Sequence, residues 1–117
     1  MTRILFVEDD EPLQLLFEHI LLGAGYDVDC AASVDAATRL LKGRHYDLVL
    51  ADGRLADGTG MIVADRAAEN GTTALIITGH AFDLGKEELG RYEFLLKPVR
   101  PSELLDAIER VLHPARP

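Results

Sequence analysis

The sequence predicts an α/β fold, five parallel strands alternating with helices as (βα)5, and three observations lead there. Four short apolar runs, Ile4-Leu5-Phe6-Val7, Leu48-Val49-Leu50-Ala51, Ala74-Leu75-Ile76-Ile77 and Phe94-Leu95-Leu96, are continuous rather than alternating. That pattern marks strands buried on both faces of a parallel sheet. The stretches between them repeat apolar residues at helical spacing, with Gly, Pro and Ser at the changeovers. Each run also stops at a polar residue: Glu8-Asp9-Asp10, Asp52, Thr78 and Lys97-Pro98. Parallel strands end at one edge, so these groups are expected to converge there, as ligand sites in open α/β sheets do.

Glu11-Pro12 opens the first helix, with Pro12 near its first position and Leu13, Leu16, Phe17, Ile20 and Leu21 recurring as far as Gly23. Val28 to Ala31 is a short second strand. Ser33 caps a helix through Lys42 that buries Ala37, Leu40 and Leu41, and Gly43 closes it. After the strand ending at Asp52, Gly58-Thr59-Gly60 turns into a third helix, Met61 to Asn70, which Gly71 ends. Between Thr78 and Phe94 the pattern weakens. Gly79, Gly85 and Gly90 leave room for only a short helix around Lys86 to Leu89. Ser102 starts the last helix, whose apolar face is Leu104, Leu105, Ile108, Val111 and Leu112. Right-handed crossovers put helices on both faces, and the common five-strand winding is 2-1-3-4-5. The expected architecture is a flavodoxin-like (βα)5 three-layer sandwich with a shortened or mobile fourth helix.

Composition narrows the function. The 117 residues are near the modal size for one domain, and no linker, repeat or low-complexity tract divides them. A net charge of −8 argues against direct nucleic-acid binding, which needs a basic surface. Cys30 is the only cysteine, so no intrachain disulfide is possible; a small core residue and a cytoplasmic location are expected. The apolar run after Arg3 is too short for a signal peptide, and nothing approaches a membrane span.

In the 2-1-3-4-5 order, Glu8, Asp9 and Asp10 end one strand at the switch point and Asp52 ends its neighbour. Crowded carboxylates are tolerated only when some protonate or a cation sits among them. Oxygen ligands without nearby His or Cys favour Mg²⁺. A metal there would attract a phosphoryl group. Thr78 can donate a hydrogen bond to one of its oxygens and Lys97 can neutralise another. Asp52 is then placed as a nucleophile that forms an aspartyl-phosphate. Asp10 and Glu11 read more simply as a solvated helix start favoured by the helix dipole. His19, His45 and His113 have no metal-ligand spacing, and His80 reads as a loop histidine.

These residues resemble the receiver domains of two-component response regulators, chemotaxis-regulator-like, over essentially the whole chain, residues 1–117. The resemblance is carried by Ile4 to Asp9, by Asp47-Leu48-Val49-Leu50-Ala51-Asp52, by Leu55-Ala56-Asp57-Gly58-Thr59-Gly60, by Ile76-Ile77-Thr78-Gly79 and by Phe94-Leu95-Leu96-Lys97-Pro98. Each motif alone is weak, but five in order are a strong signal. The resemblance implies that Asp9 binds Mg²⁺ directly and Glu8 through water, with Asp52 and the Arg54 carbonyl completing the protein ligands. It implies phosphoryl contacts from the Gly53 and Gly79 amides, a cis Lys97-Pro98 bond, and a switch in which Thr78 moves and Phe94 changes rotamer. It also implies a phosphohistidine donor, either a sensor histidine kinase or a histidine phosphotransfer protein, and slow autodephosphorylation in place of enzymatic turnover.

Several positions depart from the family pattern. Ala56 replaces a frequent proline, Val99 a frequent phenylalanine and Gly79 a more usual alanine. Arg54 stands where a side chain overlooks the phosphoryl group, so it is expected to tune the lifetime of phosphorylated Asp52. Two other readings compete. One is a phosphorylation-independent binding module on the same fold. The other is a small-molecule phosphatase or flavodoxin-like cofactor binder, disfavoured because Glu8 to Glu11 follow the first strand where a glycine-rich phosphate loop would be needed. Residues 113–117 read as a tail, leaving a stand-alone regulator or part of a larger one as the expectation.

Overall fold

The computed structural model describes residues 1–79 and 91–114. In chain order its elements are β1 (Arg3–Val7), α1 (Glu11–Gly23), β2 (Asp27–Ala31), α2 (Val34–Gly43), β3 (Leu48–Asp52), β4 (Arg54–Leu55), β5 (Gly58–Thr59), α3 (Gly60–Glu69), β6 (Thr73–Thr78), β7 (Glu93–Leu96) and α4 (Pro101–Leu112). The five long strands pair in parallel in the order β2-β1-β3-β6-β7. This is the 2-1-3-4-5 winding that the sequence predicts. The numbers shift only because β4 and β5 form a separate two-stranded antiparallel ribbon, which the sequence reading treats as a turn.

Alternation along the strands divides the apolar residues between two cores. Leu5, Val7, Val49, Ala51 and Ile76 face α2 and α3, where Val34, Ala37, Leu41, Met61, Val63, Ala64 and Ala67 close over them. Ile4, Phe6, Leu48, Leu50, Leu75 and Ile77 face α1 and α4, meeting Phe17, Leu21, Leu104, Ala107 and Ile108. Each fully buried Leu or Ile contributes about 2 kcal/mol of transfer free energy. Four helices are present among the described residues, so the three layers are in place. The expected short helix around Lys86 to Leu89, and His80, lie outside the described residues.

Helix starts follow local chemistry. The Asp10 carboxylate accepts from the Leu13 amide at 3.3 Å, and Pro12 occupies the first turn of α1. Ser33 caps α2 through the Ala36 amide at 3.0 Å. The last helix begins at Pro101, ahead of the expected Ser102, since the fixed φ of proline suits a first helical position. Gly71 ends the α3 region with φ at +73°, a conformation that favours glycine.

Two expectations need correction. Burial on both faces holds for β1, β3 and β6, but β7 is an edge strand, with Phe94 and Leu95 half-buried and Leu96 exposed. Cys30 is half-buried rather than fully in the core, because β2 is the other edge. Its Sγ lies 3.5 Å from a Glu18 carboxylate oxygen, and burial first, then Glu18, push the thiol up to about 12. At its start, β7 is tied to α3: the Tyr92 hydroxyl donates to Asp65 at 2.6 Å, and Arg91 pairs with the same carboxylate.

Candidate functional site

The C-terminal ends of β1, β3, β6 and β7 bring Glu8, Asp52, Thr78 and Lys97 to one edge. Asp52 is the last residue of β3, 9% exposed, and its Oδ2 lies 3.1 Å from the Lys97 Nζ. The same ammonium lies 3.7 Å from a Glu8 carboxylate oxygen. Glu8, Asp9 and Asp52 each present an oxygen within 4.8 Å of the others. Glu8 is buried, while Asp9 stands exposed at the mouth.

Glu8 is held from several sides. Its amide donates to the Ala31 carbonyl at 2.9 Å, its carbonyl accepts from the Gln14 side chain at 2.9 Å, and its carboxylate accepts from the Asp10 amide at 3.2 Å. Burial and then the neighbouring Asp52 carboxylate push its pKa from an ordinary 4.5 up to about 7; the Asp10 amide and Lys97 offset this only in part. Asp10 and Gln14 therefore support the acidic pair. The sequence reads Asp10 only as part of a solvated helix start, and nothing local marks Gln14.

The donor set tests the fit of a metal. Among the described residues, three carboxylates share one edge with a single nearby ammonium and no His or Cys, and one carboxylate is buried against another. Hard oxygen donors arranged this way suit Mg²⁺. Among the described residues, no buried side-chain polar atom lacks a hydrogen-bond partner.

Of the two glycines expected to face a phosphoryl group, Gly53 departs from expectation. The Gly53 amide, expected to face a phosphoryl group, instead donates to the Ile77 carbonyl at 2.8 Å, because it extends the β3–β6 ladder by one step. The amide that reaches the Asp52 carboxylate belongs to Arg54, at 3.3 Å. What Gly53 supplies is room. A Cβ there would come within 2.8 Å of the Thr78 Cβ and Oγ1, so only glycine lets the threonine approach this closely. Gly79 lies beside Lys97 with ample space, since a Cβ would stand 3.8 Å from the Lys97 Cβ. Thr78 is buried at the end of β6. Its backbone carbonyl accepts from the Lys97 amide at 2.9 Å, joining the two site strands.

Phe94 is paired with Ile76 in β6 and packs against the core beneath α2 and α3. The Lys97-Pro98 bond is cis. Arg54 is exposed and opens the β4–β5 ribbon. No helix among the described residues is long and apolar enough to cross a membrane.

Residues 4–109 match the family model described as the response regulator receiver domain. The transcriptional regulatory protein AruR of Pseudomonas aeruginosa is 28% identical over 99% of this chain and 51% of its own length. The chain spans about half the length, or less, of the first curated relatives it matches. Among solved structures, the non-phosphorylated HemR receiver domain of Leptospira biflexa is 35% identical, covering 100% of this chain and 98% of that one with a TM-score of 0.84. The receiver domain of a sensor histidine kinase of Pseudomonas aeruginosa, with a magnesium ion coordinated in its active site cleft, is 30% identical, covering 95% and 97% of the two chains at a TM-score of 0.84. With five parallel strands wound in this order and an acidic cluster beside a lysine at their ends, the chain belongs to the response regulator receiver domain family.

Proposed function

We propose that the whole chain acts as one receiver domain whose Asp52 accepts a phosphoryl group from a phosphohistidine of a sensor histidine kinase or histidine phosphotransfer protein. The observation that carries this reading is the position of Asp52, buried at a strand end, 3.1 Å from Lys97 and clustered with Glu8 and Asp9.

An Asp52 carboxylate oxygen attacks phosphorus; the O–P bond forms, the N–P bond of the donor breaks, and the departing imidazole leaves with its electron pair. Lys97 holds one carboxylate oxygen of Asp52 and neutralises charge on the incoming group. Thr78 supplies a hydroxyl to a phosphoryl oxygen. Mg²⁺, held by Asp9, Asp52 and the Arg54 carbonyl, with Glu8 acting through water, would neutralise the phosphoryl oxygens. The Arg54 amide, not that of Gly53, faces the phosphoryl group, and Gly79 offers a second amide. Water later attacks phosphorus, releasing inorganic phosphate and restoring the carboxylate. The chain is a signalling component, and it does not turn over a free substrate.

A protein donor suits the surface beside the site. Leu15, Leu16 and Leu22 on α1 are exposed, and a 420 Å³ groove lined by Leu13, Leu16, Phe17, Pro98 and Val99 reaches Lys97. Apolar surface bordering a charged site fits a protein better than a small phosphate ester. A net charge of −8 argues against a direct nucleic-acid role, and the free Cys30 accords with the cytoplasm. Thr78 and Phe94 form the switch, with Phe94 reporting burial because it has no hydroxyl.

Acetyl phosphate or beryllofluoride with Mg²⁺ tests the reading by mass spectrometry. A labile adduct is expected on the wild type and none on Asp52→Asn. A wild type that takes no adduct would instead point to a phosphorylation-independent binding module, and turnover of a free phosphate ester to an enzyme.

A further inference from the structure

The N-terminus of α2 is capped from two places. A helix leaves its first amides without internal partners, and one local serine can satisfy only one of them. Here Ser33 takes the Ala36 amide at 3.0 Å, while Asp57, more than twenty residues onward, takes the other two. The Val34 amide donates to Asp57 Oδ1 at 2.9 Å and the Asp35 amide to Oδ2 at 3.1 Å. These bonds hold the Asp57 carboxyl below the ordinary carboxylate range, as expected of an anion at a helix N-terminus.

Asp57 is the tip of the loop that follows Asp52. The base of that loop is fixed by the Gly53 amide on Ile77 and by the Gly60 amide on the Gly53 carbonyl at 3.2 Å. Its middle is the β4–β5 ribbon, with Arg54 opposite Thr59, Leu55 opposite Gly58, and Leu55 buried. Beside the tip, Gly58 fits closely under Val34: a Cβ would stand 3.2 Å from Val34 Cγ2. Arg54 thus lies between a fixed base and a fixed tip, three residues from Asp57.

We propose that Asp57 is a positioning residue for the cation site: by clamping the loop tip to α2 it fixes the backbone around Arg54, and so couples metal binding to the first turn of α2. The inference rests on the cation reading above. Mg²⁺ demands near-ideal octahedral geometry, whereas Ca²⁺ tolerates a flexible shell. A loosened loop therefore penalises Mg²⁺ more than Ca²⁺, and by reciprocity bound Mg²⁺ orders the α2 amides.

Titrations of Mg²⁺ and of Ca²⁺ into the wild type, Asp57→Ala and Asp57→Asn, followed by amide NMR shifts and by hydrogen exchange at Val34 and Asp35, test this. Asp57→Ala should weaken Mg²⁺ about tenfold, the low end for residues that support metal ligands, and weaken Ca²⁺ less. Asp57→Asn, which keeps an oxygen acceptor without the charge, should recover part of the loss. In the wild type alone, Mg²⁺ should slow exchange at Val34 and Asp35. Unchanged Mg²⁺ affinity in Asp57→Ala overturns the inference. Equal losses for both metals, or in both variants, also overturn it, since they would trace to charge rather than position. A wild type that binds no Mg²⁺ overturns the cation reading and the inference with it.

Discussion

Two carboxylates on neighbouring strands, Glu8 just beyond β1 and Asp29 within β2, meet opposite treatment. Asp29 accepts from the buried Tyr46 hydroxyl at 2.7 Å and from Arg44 at 2.9 Å. Those donors, Tyr46 first, hold its pKa below the ordinary 3.8 against the penalty of burial. Glu8 has an amide donor, but its nearest charged neighbours are a second carboxylate and an ammonium shared with it, and its pKa rises to about 7. A carboxylate whose work is structural is given fixed donors. Glu8 lies against a second carboxylate and shares its one ammonium with it, a crowding that a bound cation would relieve.

The largest expected effect breaks the comparison by pH. Between about 4.5 and 7 the folded chain keeps a proton at Glu8 that the unfolded chain has released, so metal-free stability should fall as pH rises through that window. The full loss is roughly 3 kcal/mol. Saturating Mg²⁺ should flatten the profile by replacing the proton. Asp29 has the opposite sign: its contribution is present above 3.8 and is lost as pH falls through its lowered folded value. Urea unfolding across pH, with and without Mg²⁺, measures both, and a flat metal-free profile between 4.5 and 7 would contradict the account of Glu8.

A smaller effect comes from the satisfied side. Tyr46→Phe removes the principal donor to Asp29 and should cost about 1–2 kcal/mol, the worth of a hydrogen bond to a charged group with some solvent access. Thermal unfolding should show the loss while Mg²⁺ affinity stays at the wild-type value. If metal affinity fell too, the two carboxylates would be coupled centres rather than independent ones. The smallest effect on stability, within about 0.5 kcal/mol, is expected from Arg54→Ala. That change should alter the lifetime of the Asp52 adduct severalfold, measured by its decay in mass spectra. Unchanged decay and unchanged Mg²⁺ dependence would remove the Arg54 side chain, though not its backbone, from the site.

The central strands were legible because each apolar run carries its own evidence of burial, and the polar residue ending each run marked the site edge. Glu8, Asp9, Asp52, Thr78 and Lys97 could be named because a parallel sheet converts chain order into neighbourhood. Less legible were features that depend on distant partners. Asp57 sits in an ordinary Asp-Gly turn signal, and only folding shows that α2 needs its carboxylate. Tyr46 and Asp29 meet across the first, second and third strands without any local spacing to announce them. The Gly53 amide was misassigned because one extra rung in the β3–β6 ladder is set by register, which residue types do not encode. Phe94 and Leu96 looked like core because an edge strand and a central strand share the same apolar run.

The close quarters around Gly53 and Gly60 shape how this protein could be diversified. A methyl at Gly53 would press on Thr78, and one at Gly60 would run into the Asp52 backbone carbonyl. A side chain at either end of the acceptor loop would therefore force its neighbours to shift, and Leu55 is committed to the core. If Asp57 is also committed, Arg54 and Ala56 are the exposed positions of the loop that remain for variation. A library randomised at those two codons would sample signalling kinetics while leaving intact the joints on which the loop is hung.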